Sequence, residues 1–79
     1  MSDGQLRWQC RRGMRELDQL LLRFLENEYP VSGEAQKSAF RELLALPDPE
    51  LISYLLGGQI PVDTHIANVV SRIQNRAGT

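Results

Sequence analysis

The residues of this 79-residue chain with the most chemical potential lie near its start, in Trp8-Gln9-Cys10-Arg11-Arg12-Gly13-Met14-Arg15-Glu16-Leu17-Asp18. Residues 1–15 carry Arg7, Arg11, Arg12 and Arg15 against Asp3, for +3, whereas residues 16–79 carry five basic and nine acidic residues, for −4. Such segregation directs any recognition of anions or carboxylates to one local patch. Gly13 leaves the helix that follows it without a capping side chain, so its first N–H groups and the nearby arginines could meet an anion or a partner's carboxylates. Glu16 falls in the first turn of that helix, where the dipole favours it and where it can orient an arginine or accept a hydrogen bond. Trp8 adds an aromatic anchor of the kind enriched in interface hot spots. A plainer reading also fits: Gly13 is a turn, and Arg12 or Arg15 pairs with Glu16 or Asp18 on a solvated face. Together the residues describe a protein-binding patch better than a reaction centre.

Other chemistries lack the residues they need. A metal site requires several converging His, Cys, Asp or Glu ligands, and the chain has one His65 and one Cys10, far apart in sequence. His65, in the first turn of the last helix, reads as solvated or capping. Arginine neighbours could lower the Cys10 thiol pKa and make it reactive, but a small packing residue is the expected role. Gly57-Gly58 has neither the strand-to-helix context nor the lysine of a phosphate-binding loop and reads as a helix stop. With no triad in view, an enzyme acting alone is not expected, and no catalytic residue, metal ligand or cofactor-binding residue is assigned.

The elements that must position the patch are helical, because apolar residues recur at three and four while strand-like alternation is missing. Five short helices in a compact all-α bundle are expected, forming one domain over residues 1–79 with a modest core; a domain of this size buries only about 60% of its unfolded surface. The first helix is expected over Gln5 to Arg12, with Leu6, Trp8 and Cys10 as its apolar residues and Gly13 in the left-handed position that ends it. Met14 to Glu28 follows, with Leu17, Leu20, Leu21, Phe24 and Leu25 in one stripe and Leu22 on its edge. Tyr29-Pro30 stops that helix, and Ser32 offers an N-cap to a third helix over Gly33 to Ala45, whose inner face holds Ala39, Phe40, Leu43 and Leu44. Asp48-Pro49 reads as an N-cap with proline at the first helical position of a short helix through Leu56. Pro61 and Asp63 or Thr64 open the last helix, in which Val62, Ile66, Val69, Val70 and Ile73 keep the helical spacing and Arg72 and Arg76 suit its C-terminal end.

Arg12-Gly13-Met14-Arg15-Glu16 resembles the RGxxE motif of the SdhE-type succinate dehydrogenase assembly factors, and the likeness continues through Arg11, Leu17 and Asp18. Trp8 and Cys10 stand where a W-x-C pair commonly precedes that motif. Phe24-Leu25-Glu26-Asn27-Glu28-Tyr29, Phe40-Arg41-Glu42-Leu43-Leu44 and Asp48-Pro49-Glu50-Leu51 resemble later segments of the family, so the likeness spans about Leu6 to Arg76. Arg7 departs from it, standing where histidine is frequent.

The resemblance implies a chaperone-like assembly factor that binds the flavoprotein subunit of succinate dehydrogenase, with fumarate reductase as a related candidate client. It promotes covalent attachment of FAD, through the flavin's 8α carbon, to a client histidine, while holding no cofactor tightly itself. It implies client contacts at Arg12, Gly13 and Glu16, supported by Trp8, Arg11, Arg15 and Asp18, with Arg12 pairing to client acidic or carbonyl groups. A monomer is expected. Some members carry an antitoxin label, which gives the alternative of antagonism toward a membrane toxin or a cytoskeletal partner. A nucleic-acid binder using the four arginines is disfavoured by the acidic remainder. With one cysteine, no long apolar run and no signal peptide, and with Met1–Arg7 too short for a mitochondrial presequence, the cytoplasm is the expected location and membrane insertion is not expected.

Overall fold

The computed structural model describes residues 3–77, and the side chains of residues 4–75. Its helices are α1 (Asp3–Gln9), α2 (Arg15–Asn27), α3 (Glu34–Leu44), α4 (Asp48–Leu55) and α5 (Thr64–Ala77), with a 3-10 turn at Tyr29–Val31 between α2 and α3. The all-α, five-helix architecture is the one expected from the periodicity.

In α2, Leu17, Leu21, Phe24 and Leu25 are buried, while Leu20 and Leu22 both lie at the edge of the stripe. The Phe40 ring of α3 meets Phe24 at 4.8 Å and Tyr29 at 5.6 Å between centroids, both in the range of favourable tilted pairs. α5 packs on α2, α3 and α4 and closes the core with Ile66, Val69, Val70 and Ile73. Leu6 and Cys10, one helical turn apart, complete it from the α1 side.

Trp8 and Val62 depart from the expected apolar pattern. Trp8 is 74% exposed because it lies on the opposite side of α1 from Leu6 and Cys10. Val62 precedes α5 and is 99% exposed, so the spacing it shares with Ile66 is coincidental.

The helix ends also differ from expectation, each for a reason in its hydrogen bonds. α1 runs from Asp3 to Gln9 rather than Gln5 to Arg12, and the guanidinium of Arg12 folds back to its last carbonyl instead of extending the helix. Gly13 is left-handed as expected, at φ +85°, but lies in the connection rather than directly after α1. The Ser32 hydroxyl donates to the Glu28 carbonyl at 2.7 Å, so it completes the end of α2 and leaves Gly33 as the cap of α3, with no side-chain cap. Pro47, not Asp48, is the cap residue of α4, because its carbonyl accepts the first helical N–H groups, from Glu50 at 3.1 Å and Leu51 at 3.2 Å, while the Asp48 carboxylate is engaged by Arg12. Asp63 caps α5, accepting from the backbone N–H groups of His65 at 2.8 Å and Ile66 at 3.4 Å, and His65 is exposed. Arg72 reaches Glu28 at 3.5 Å, joining α5 to the end of α2, whereas the side chain of Arg76 lies outside the described residues. Gly57-Gly58 ends α4, and a Cβ at position 57 would sit 2.9 Å from the Ser53 carbonyl oxygen.

Candidate functional site

Met14 precedes α2 as its cap residue in an extended conformation, φ −115° and ψ 117°, with no side-chain cap. Gly13 supplies the left-handed residue that turns the chain into it, and a Cβ there would meet nothing within 4 Å, so the demand for glycine is conformational rather than steric. Asp18, one turn into α2, reaches back and accepts the Arg12 backbone N–H at 2.7 Å. This bond closes the loop from Arg12 to Asp18 and gives the carboxylate a fixed place.

The Arg12 side chain does not face solvent. Its side chain is 16% exposed, and the guanidinium donates through Nε to the Gln9 carbonyl at 2.8 Å and through Nη1 to the Asp48 carboxylate at 3.1 Å and the Leu46 carbonyl at 3.4 Å. Nη2 donates to the Leu44 carbonyl. Gln9 and Leu44 are the last residues of α1 and α3, and Asp48 is the first residue of α4. One cation thus collects orphan carbonyls where two helices present their negative ends, then pairs with a carboxylate at the start of a third. The expectation that Arg12 contacts client groups meets a geometry in which this side chain is turned into the molecule. Neither of the pairs considered from sequence, Arg12 or Arg15 with Glu16 or Asp18, forms through the guanidinium groups.

Around this fixed loop the remaining motif residues face outward. Trp8, Arg11, Gly13, Arg15 and Glu16 are all exposed, and Arg11, Arg15 and Glu16 make no side-chain hydrogen bond or ion pair among the described residues. The Arg11 backbone N–H bonds the Trp8 carbonyl at 3.0 Å, which ties the end of α1 to the loop. Arg7 reaches Glu26 on α2 across an exposed 3.5 Å pair, a contact worth little in solvent. The surface therefore offers a carboxylate, two unpaired guanidinium groups and an indole on a backbone held from behind.

Cys10 is fully buried, and burial pushes its thiol up from 9.0 to about 12 against the lowering effect of the Arg12 and Arg7 charges. Desolvation outweighs arginine proximity, which fits the packing role and removes a nucleophile from the loop. Among the described residues no group of three His, Cys, Asp or Glu side chains could hold a metal ion, and no helix is long and apolar enough to cross a membrane. The contribution of Asp48 was not visible in the sequence. An aspartate before a proline is a sufficient helix-start signal by itself, and nothing local shows that its carboxylate serves a residue 36 positions away.

Comparison with known proteins gives a consistent result. A family described as the flavinator of succinate dehydrogenase, Sdh5, matches residues 4–77. The FAD assembly factor SdhE of Pectobacterium atrosepticum is 39% identical over 75 residues, covering 95% of this chain and 85% of that protein. The protein of the same name from Coxiella burnetii is 39% identical over 74 residues, 94% and 90% of the two chains. That from Shewanella oneidensis is 38% identical over 77 residues, 98% and 94%.

Proposed function

The chain belongs to the Sdh5 family of succinate dehydrogenase flavinators, and from that membership we propose that it binds the flavoprotein subunit of succinate dehydrogenase and promotes covalent attachment of FAD to a client histidine. Fumarate reductase, with its related flavoprotein subunit, is the second client we propose. The chain acts as an assembly factor rather than a catalyst, as a cytoplasmic monomer without a nucleic-acid partner. FAD belongs to the client. Among the described residues, the depressions beside α2 and between α3 and α5 open to solvent, and the bond-forming groups come from client and flavin.

The observation that carries this reading is the division of labour within the motif. Arg12 and Asp18 hold the loop from behind, so Glu16, Arg11, Arg15, Trp8 and the bare backbone at Gly13 are presented without rearrangement. A preorganised surface loses little freedom on binding and so discriminates well between client conformations. It favours the flavinylation-competent client only by binding that conformation more tightly than others. Glu16 then accepts from a client donor, Arg11 and Arg15 meet client carboxylates or carbonyls, and Trp8 provides apolar contact area. Arg12 serves client binding by setting the shape of the loop.

The test is in-gel fluorescence of covalent flavin on the denatured client subunit, from cells with the gene, without it, and with Glu16→Ala. Signal lost on deletion, restored by the native chain and poorly restored by the variant is the expected pattern. Equal signal in all three would refute the proposal.

A further inference from the structure

Beyond the motif loop, α2 carries Glu16, Gln19, Leu20 and Arg23 along one side at spacings of three, four and seven residues. With Leu56, the cap residue just after α4, they line a shallow groove of about 280 Å³. Leu20 is half-buried and Leu56 is 39% exposed, so the floor is apolar. Glu16 and Arg23 are exposed at its two ends, and neither has an ion pair or side-chain hydrogen bond among the described residues. Seven residues of helix separate them by about 10 Å, too far for them to neutralise each other.

We propose that this groove extends the client interface beyond the motif and receives a client segment carrying a basic and an acidic side chain about 10 Å apart on either side of an apolar one. The base meets Glu16, the acid meets Arg23, and the apolar side chain covers Leu20 and Leu56. Two features select this occupant. The charge pattern of the groove has opposite signs at its ends, which fixes the direction of the bound segment as well as its composition. Glu16 belongs both to the motif and to the groove, so a client seated on one reaches the other. Two helical turns supply the required spacing, with base and acid at i and i+7 around an apolar i+3 or i+4, so a client helix laid along α2 fits best. The proposal rests on the client-binding reading of the motif face.

The test is calorimetric titration of the full chain into purified client flavoprotein subunit, comparing native protein, Glu16→Ala, Arg23→Glu, Arg23→Lys and Leu56→Ser, with melting temperatures measured in parallel. Arg23→Glu should weaken binding by about tenfold, more at low salt than at high salt, with an unchanged melting temperature, while Arg23→Lys binds close to native. Leu56→Ser should weaken binding about threefold to tenfold through lost apolar contact. Native affinity in Arg23→Glu and Leu56→Ser together with weakened Glu16→Ala would overturn the groove and leave the motif reading standing. Absence of binding by the native chain would overturn both. Sedimentation showing a dimer that Arg23→Glu dissociates, with client affinity unchanged, would assign the groove to a second copy and overturn the proposal.

Discussion

At Gly13 the backbone sits at φ +85° with open space where a side chain would go. Gly13→Ala should therefore cost about 1–2 kcal/mol through left-handed strain alone, lowering the melting temperature by roughly 5–15 °C in a domain of this size. Gly13→Arg carries the same strain and places bulk over the exposed motif, so client flavinylation is expected to vanish while circular dichroism remains helical. Normal flavinylation by this variant at low expression would count against the docking surface. Cys10 makes a separate prediction. Its folded pKa, about 12, lies above the ordinary 9.0, so the thiol's contribution to stability is complete below pH 9 and is lost as pH climbs toward 12. Denaturant midpoints of native protein and Cys10→Ala, compared at pH 8 and pH 11, should converge at the higher pH; a constant difference would refute the assignment. Alkylation of the native thiol at pH 8 should proceed only as fast as the protein opens. The left-handed conformation of Gly13 was legible in the sequence, since glycine between two helices signals such a turn. The direction of the Arg12 side chain was not, because an arginine beside a turn can face solvent or fold inward, and apart from the nearby Gln9 carbonyl its acceptors come from residues 32 to 36 positions away.

Among the helices, the ends of α1 and α3 and the start of α4 depend on one guanidinium. Arg12→Ala removes charge-assisted hydrogen bonds and leaves carbonyls without a donor, for an expected loss of about 2–3 kcal/mol. Arg12→Lys should recover only part of this, since a single ammonium cannot span the three directions of the fork. Asp48→Asn should cost less than Arg12→Ala, because that carboxylate is half-exposed. A double-mutant cycle between positions 12 and 48 should show coupling of about 1 kcal/mol; purely additive losses would mean that the pair does not stabilise the loop. The helices themselves were legible from stripes such as Leu17, Leu21, Phe24 and Leu25, and Asp63 announced α5 correctly. The errors at Ser32 and Asp48 both concern residues with the chemistry of a helix cap that are used by another group: Ser32 by the carbonyl of Glu28 four residues before it, and Asp48 by the guanidinium of Arg12, 36 residues away.

For the molecule as a whole, a single buried cluster of side chains from all five helices implies loss of stability throughout when its centre is cut. Phe40 meets the rings of both Phe24 and Tyr29, and Phe40→Ala should cost about 3–5 kcal/mol. A chain of this length has roughly 4–12 kcal/mol in total, so the melting temperature should fall by roughly 15–30 °C. A drop under about 5 °C would show that the core relaxes around the loss. The Arg12 fork has a further consequence in time. The carbonyl of Leu44 and the carboxylate of Asp48 lie 32 and 36 residues after it, so the motif is synthesised well before the groups that shape it. A nascent chain that has released only α1 and α2 holds the Asp18 and Gln9 partners of Arg12 but lacks the Leu44, Leu46 and Asp48 partners that draw its guanidinium inward. If this face is the client's docking surface, as we propose, capture of a client waits until α3 and the start of α4 have come into place.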